Sequence, residues 1–393
     1  MTANPAHFDA AKPWIILSPF LKGAPDSLAG AAPGITAESP PEARDLARCI
    51  AALRKRAGLF GSLPPIVDAE GAAPPPETPV ILLNKGLTRQ EGPGFSWRAA
   101  PERVEIYGES RHGMANGVYD FLEALGFAWP APGKETLPPC PPDAAAQARY
   151  PLAAASAYKP SPLPGSGADT IALRRRMVWT REKPFKSPDE VIDWAARTRM
   201  DAIVLPFRDL APGPGQTSRL RAILMRRAAR RRLLIEEGGW ELPYLLPRRL
   251  FLFHKDLFRM EDGRRRKDGC FCPTHPETLR RVRQEAGRCF QAAGGAIPDD
   301  AVFHVWPARS GSAVWCSCPT CRAFSPREQN RIACNAAADA LLALNPKARL
   351  SYYEEPDGEE VIYEHETMRI APRENLFPIS PLPFSPFMLH STR

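Results

Sequence analysis

The chain has 393 residues, 44% of them hydrophobic and 24% charged, a composition of soluble globular proteins and a length that suits two domains. No run of about 18 apolar residues occurs, so no membrane partner is expected. Formal net charge is +8, and residues 219–232 alone hold seven arginines. No stacking aromatics or binding motif accompany them, so they read as a solvated helix face and no nucleic-acid partner is expected. The opening stretch MTANPAHFDAAKPWIILSPFLKG has no basic run before its short apolar segment. The expectation is no signal peptide and a cytoplasmic protein, with export left open.

In chain order, residues 14–17 read as a short apolar strand. Residues 41–57 read as a helix started by Pro41, with Leu46, Ile50 and Leu53 on one face. A buried strand follows at 80–83, then a hairpin of 95–99 and 103–107 around Pro101. Met114, Val118, Phe121, Leu122 and Leu125 fall at helical spacing and predict a helix over 112–125, closed by Gly126. The series describes a small α+β domain over 1–140, a sheet with two helices on it.

Residues 141–172, rich in Ala, Pro, Ser and Gly, read as a linker. From 173 onward, strands at 176–180, 201–207, 233–237, 302–307 and 349–354 alternate with helices at 187–199, 216–232, 276–292 and 327–344. Ser187 caps the first of these helices, with Glu190 at its third position. The alternation, with long loops after the third and fourth strands, predicts an α/β fold of the (β/α)8 TIM-barrel type. No Gly-x-Gly-x-x-Gly follows a strand, which removes a dinucleotide-binding sheet. Five units are found where eight close a barrel. One further strand is expected near 368–371, then an irregular tail over 376–393. The expectation is an incomplete barrel over 173–375, truncated or altered on its C-terminal side.

Four segments carry a resemblance: GVYDFLEALGFAWPAPG (117–133), EEGGWELPYLLPRRLFLFHKDLFRMEDGRR (236–265), CFCPTHPET (270–278) and VWCSCPTCRAF (314–324). In this order they resemble the glycoside-hydrolase-like family termed domain of unknown function 4838, with an N-terminal domain of the α-glucuronidase and β-hexosaminidase type. The resemblance spans roughly residues 80–375 and implies a carbohydrate-handling barrel. Two departures stand out. Where the family pattern has His after the Gly-Gly of the third strand, this chain has Trp240. Where it has Asp after the fourth-strand Pro, this chain has Ala308 and Arg309.

In a barrel the reacting groups come from strand C-termini and the loops after them. That rule selects Glu237, Glu354, Glu355 and Asp209 as candidate catalytic carboxylates. It selects Trp179, Trp240, Trp306, Arg309 and Tyr353 as candidate substrate contacts. Glycoside hydrolysis takes two carboxyl groups, about 5–5.5 Å apart in retaining enzymes and about 6.5–9.5 Å apart in inverting ones. One must stay protonated as general acid. Glu237 with Glu354 or Glu355 is the best-placed pair, and Asp209 is a third group. The indoles and Tyr353 suit the apolar C–H face of a pyranose; ordinary core packing is the plainer reading. No Gly-x-Ser-x-Gly elbow is present. His304, alternating within its strand, reads as a satisfied core residue.

Nine cysteines form the second constellation. Cys316-x-Cys318-x-x-Cys321 follows the fourth strand and Cys270-x-Cys272 follows the third, in loops that neighbour each other on one barrel face. Cys316, Cys318 and Cys321 with Cys272 (or Cys270) match a tetrahedral structural zinc site. Disulfides in an exported protein and free thiols in a cytosolic one are the alternatives. Catalysis itself needs no cofactor in this reading. Cys49, Cys140, Cys289 and Cys334 read as buried apolar side chains.

Two functions follow from the resemblance. One is hydrolysis of O-glycosidic bonds by a carboxylate pair; the other is a catalytically inactive, carbohydrate-binding remnant of such an enzyme. Carbohydrate is the expected partner in both.

Overall fold

The computed structural model describes residues 7–9, 13–17, 39–59, 63–68, 78–85, 93–100, 103–140, 149–159, 176–178, 187–207, 217–291, 296–307, 315–353 and 369–379. The chain divides into two units. The first takes Met1–Gly165, Pro184–Asp201 and Arg227–Leu233; the second takes Ser166–Lys183, Ala202–Arg226 and Leu234–Arg393.

The strands of the first unit are β1 (His7–Asp9), β2 (Trp14–Leu17), β3 (Ile66–Asp68), β4 (Val80–Lys85), β5 (Phe95–Ala100), β6 (Arg103–Gly108), β7 (Ala128–Ala131), β8 (Lys134–Thr136), β9 (Arg149–Pro151) and β10 (Ser156–Lys159). Six of them make one mixed sheet in the order β10-β5-β6-β4-β2-β3. The expected hairpin is present as antiparallel β5 and β6, with Ala99 opposite Val104. Alternation gives the sheet an apolar face: Ile15, Ile81, Leu83 and Ile106 are fully buried. The helices α1 (Pro41–Arg56) and α2 (Arg111–Ala124) bury Leu46, Ile50, Leu53, Met114, Val118 and Phe121. α2 lies so close to the sheet that a Cβ on Gly117 would stand 2.8 Å from Cγ2 of Ile106. Glu42 in the first turn of α1 and Arg54, Lys55 and Arg56 in its last turn oppose the helix dipole.

A buried acid ties this unit together. Asp45 on α1 accepts from Tyr119 Oη at 2.8 Å and from Arg231 Nη1 at 2.7 Å, and pairs with Arg197 Nη2 at 3.3 Å. Burial alone would raise its pKa; the charges of Arg231 and Arg197 outweigh that and hold it at about 2. Arg231 therefore departs from the expected solvated arginine face, since its side chain is 11% exposed, whereas Arg226 and Arg230 do face solvent. The helix α3 (Pro188–Arg197), expected as the first barrel helix, groups with this unit. Ser187 Oγ accepts from Glu190 N at 3.4 Å, as the capping pattern predicted. Trp194 Nε1 donates to the Trp129 carbonyl at 2.8 Å.

The residues of helix α4 (Thr217–Arg230) up to Arg226 group with the second unit and those from Arg227 with the first. The second unit is built on a six-stranded parallel sheet. Its strands are β11 (Arg176–Val178), β12 (Ala202–Leu205), β13 (Leu234–Gly239), β16 (Val302–Val305), β17 (Arg349–Tyr353) and β18 (Leu376–Ile379), in that order. The two remaining strands, β14 (Met260–Glu261) and β15 (Arg264–Arg265), form a short ribbon. The helices α5 (Pro276–Gln291) and α6 (Pro326–Leu344) share an apolar core with one sheet face. Val282, Ala286, Phe290, Ala337 and Leu341 meet Phe303, Val305, Leu350 and Leu376 there. A capping box starts α6: Ser325 Oγ accepts from Glu328 N, and the Glu328 carboxylate accepts from Ser325 N.

The parallel α/β pattern is present. β11 and β18, the outer strands of the order, are not paired with each other among the described residues. The last strand is also displaced from its expected place. Residues 369–371 carry no strand, and β18 sits at 376–379 inside the stretch expected to be irregular. Arg369 and Arg373 pin the earlier segment to Glu328 and Asp339 on α6 at 2.7 and 2.6 Å, and the apolar pair Leu376 and Phe377 then enters the sheet.

The long segment after β13 is ordered too. Short 3-10 turns at Leu242–Leu245, Arg248–Leu252 and Lys255–Leu257 fold over Leu246, Leu257, Phe258 and Phe271. Arg248 gathers it by donating to the carbonyls of Pro243, Lys267, Gly269 and Cys270.

Candidate functional site

The parallel strands of the second unit are apolar, yet four of them carry one polar residue on the face opposite α5 and α6. These are Arg176 on β11, Glu236 on β13, His304 on β16 and Ser351 on β17. The register sets Gly238 beside His304 and His304 beside Ser351, so the side chains meet in a row. Arg176 Nε donates to Glu236 Oε2 at 2.5 Å. His304 Nε2 lies 2.9 Å from the same oxygen, His304 Nδ1 lies 2.6 Å from Ser351 Oγ, and Trp306 Nε1 donates to Ser351 Oγ at 3.0 Å.

Burial alone would raise the pKa of Glu236, but the hydrogen bond and charge of His304 and the charge of Arg176 outweigh it and hold the group at about 2. Glu236 is therefore an anion at neutral pH and only accepts. His304 Nε2 is therefore the donor to Glu236, and Trp306 Nε1 donates to the Ser351 Oγ that lies against Nδ1. Ser351 and His304 have no exposure and Glu236 has 3%. A nucleophile needs access, so the row acts as a fixed polar floor that orients the Trp306 indole. Sequence reasoning missed it. The available signal was a polar residue within each of four largely apolar strands, though β13 and β17 each carry a second one.

Gly238 makes the close pairing possible. Its φ is +114°, and a Cβ there would overlap the main-chain oxygen of His304. Beyond it, the aromatic candidates come together. Trp240 lies with ring centroids 5.4 Å from Trp306 and 5.1 Å from Tyr353. Trp306 is buried, while Trp240 and Tyr353 are half-buried at the C-terminal ends of their strands. Glu237 goes elsewhere. Side chains alternate along β13, so it shares a face with its register partners Leu205 and Phe303, the helix-covered face, and is 6% exposed. Asp209, Trp179, Arg309, Glu354 and Glu355 lie outside the described residues.

The second constellation also assembles. The sulfur atoms of Cys272, Cys316, Cys318 and Cys321 all lie within 4.8 Å of one another, and all four residues are buried. Cys272 Sγ stands 3.6 Å from that of Cys321 and 3.8 Å from that of Cys318, beyond the bonded distance of about 2.05 Å. None of the nine cysteines, all of them among the described residues, is in a disulfide. Cys270, the alternative ligand, instead joins the apolar core with Phe258 and Phe271. Hydrogen bonds from Cys316 and Cys321 hold the Cys272 thiol far below its usual range, and the same contact pushes Cys316 up to about 11 and Cys321 higher still. Hydrogen bonds from its neighbours thus favour a thiolate at Cys272. The buried four-cysteine cluster is compatible with a structural metal such as zinc.

No protein-family model matches the chain, and comparison with curated proteins gives no match. Among solved structures the chain is similar, at low identity, to β-hexosaminidases of glycoside hydrolase family 20. One is the exo-β-N-acetylglucosaminidase of Vibrio harveyi in complex with N-acetylglucosamine, at 12% identity over 97% of this chain and 56% of that one, with a TM-score of 0.45. The chitobiase of Flavobacterium johnsoniae gives 14% identity, 91% and 52% coverage and a TM-score of 0.46. The N-acetyl-β-hexosaminidase of Streptomyces plicatus gives 17% identity, 91% and 68% coverage and a TM-score of 0.43. The chain thus spans between 52% and 68% of the length of these three enzymes. It is a mixed α/β protein with parallel sheets, distantly similar in structure to those glycoside hydrolases.

Proposed function

We propose that the second unit receives carbohydrate at the strand ends marked by Trp240, Trp306 and Tyr353, in a protein of glycoside-hydrolase type that cleaves O-glycosidic bonds. The observation that carries the reading is the aromatic cluster itself. Three rings from β13, β16 and β17 converge where a parallel sheet of this class places its ligands, and two of them keep partial exposure. An apolar sugar face packs on such rings. In the hydrolytic step, water adds at the anomeric carbon and gives a proton to one carboxylate, the glycosidic C–O bond breaks, and a second, protonated carboxyl group supplies the hydrogen of the leaving alcohol. Glu354 or Glu355, following β17, and Asp209, following β12, are the carboxylates proposed for that work. The four-thiol cluster has a structural part in this reading, as a zinc holder, with no open position for substrate.

A second reading has its own support. The acid that faces the aromatic side, Glu236, is committed to Arg176 and His304 and is held at about 2, so it has no proton to give at neutral pH. A carbohydrate-binding protein without turnover is consistent with that commitment.

One experiment separates the two. A panel of nitrophenyl glycosides, N-acetyl-β-glucosaminide among them, is assayed with the wild type and with Asp209→Asn, Glu354→Gln and Trp240→Ala, beside oligosaccharide titration calorimetry. Turnover lost in the carboxylate variants supports the hydrolase. Binding lost only in Trp240→Ala, with no turnover anywhere, supports the binder. Absence of both binding and turnover in the wild type overturns the carbohydrate reading.

A further inference from the structure

We propose that Cys272, Cys316, Cys318 and Cys321 bind one Zn2+ ion as a closed tetrathiolate site that fastens the 257–275 segment to the 315–324 segment. The inference stands apart from the sugar reading, because neither the strand-end aromatics nor the carboxylates take part in it.

Size comes first. Zinc–thiolate bonds of about 2.3 Å at tetrahedral angles place neighbouring sulfurs about 3.8 Å apart. The separations of 3.6 and 3.8 Å from Cys272 to Cys321 and Cys318 match that edge. The largest span of 4.8 Å holds one ion. An iron–sulfur cluster would set several irons and sulfides between the cysteines and hold them farther apart. Four soft thiolates also disfavour magnesium and calcium.

Charge comes next. Four thiolates around a divalent ion carry a net double negative charge, and buried charge needs donors. They are in place. Met260 N donates to Cys316 Sγ at 3.2 Å, Thr274 Oγ1 lies 3.1 Å from Cys321 Sγ and 3.6 Å from Cys272 Sγ, and Arg265 Nη1 approaches Cys316 Sγ at 4.0 Å. Such outer partners orient metal ligands and tune them.

The scaffold around the ligands is equally specific. Gln329, on the first turns of α6 and 4% exposed, accepts from Cys316 N at 3.0 Å. Its Nε2 donates to the carbonyls of Cys316, Cys321 and Phe324 at 3.1, 3.3 and 3.2 Å. One side chain thus sets the curve of the Cys316–Cys321 loop, and Gln329 is a positioning residue for the site. Apolar packing does little here. The four sulfurs form a cluster of their own, with Met260 as its apolar neighbour. A metal would supply the cohesion that a hydrophobic core supplies elsewhere in the unit.

The test uses the full chain, purified and kept reduced. Elemental analysis is expected to give one zinc per chain. Exchange of that zinc for cobalt is expected to give the visible bands of a tetrahedral thiolate complex. Cys318→Ser and Cys272→Ser are expected to lower the metal content, while Cys140→Ser leaves it unchanged; circular dichroism shows which variants fold. The cobalt spectrum is read on the unmodified protein, so a variant that fails to fold does not decide the matter. A reduced wild type that contains no zinc and takes up no cobalt overturns the proposal. So does iron found in place of zinc, or a disulfide mapped between any two of the four.

Discussion

His304 Nε2 and Glu236 Oε2 meet at 2.9 Å with both side chains closed to water. The same carboxylate accepts from Arg176, so one buried anion holds both a guanidinium and an imidazole. Glu236→Gln keeps the shape and removes the charge that Arg176 and His304 share. The expected cost is about 3–5 kcal/mol, measured by urea unfolding at pH 7. The pH dependence has a defined sign. The folded group is held at about 2, below its ordinary value of 4.5, so its contribution is complete above that ordinary value and fades as pH falls toward 2. Glu236→Gln should flatten this acid limb; an unchanged limb would refute the assignment.

In the first unit, Asp45 is the corresponding anion. Asp45→Asn retains an acceptor for Tyr119 but leaves Arg231 and Arg197 without their common charge. A loss of about 3 kcal/mol or more is expected by chemical denaturation. The wild-type contribution again vanishes on acidification, between its ordinary 3.8 and about 2.

Two glycines give a controlled comparison. Gly238 and Gly263 both have positive φ, +114° and +74°. A Cβ on Gly238 meets the His304 backbone, whereas a Cβ on Gly263 meets nothing within 4 Å. Gly263→Ala should cost about 1 kcal/mol, the conformational part alone. Gly238→Ala should cost about 3 kcal/mol or more, because the sheet must also separate. Thermal unfolding of the pair tests the ordering.

The capping box of α6 offers a smaller effect. Ser325→Ala removes the acceptor for Glu328 N and should lower stability by about 1 kcal/mol. Since Glu328 also holds Arg369, hydrogen exchange should rise at residues 369–373 together with the first turn of α6.

Much of the architecture is legible in the amino acids. The spacing of Met114, Val118, Phe121 and Leu122 locates α2, and Ser187 with Glu190 locates the start of α3. β3 escapes because three residues after Pro64 and Pro65 are too few to show a period. The polar row escapes for a different reason. Each of Arg176, Glu236, His304 and Ser351 is visible in its strand, but which of them stand level depends on register between strands far apart in the chain. Register also decides between neighbours: Glu236 and Glu237 are equally acidic, and only the pleat assigns one to the polar row and the other to the helix-covered face. The cysteine spacing pointed to the right loops. The choice of Cys272 over Cys270 came from the tight course of the chain around Phe271, which sends the Cys270 side chain into the apolar core.

The Gln329 amide is also a place where the chain can age. Deamidation would exchange a single nitrogen for oxygen, with almost no change of volume. The three carbonyls that now receive hydrogens from Nε2 would then confront a carboxylate, and every one of those attractions would become a repulsion. Slow chemical wear at this one position would spring the Cys316–Cys321 loop, so old protein should shed whatever that loop holds before either sheet loosens.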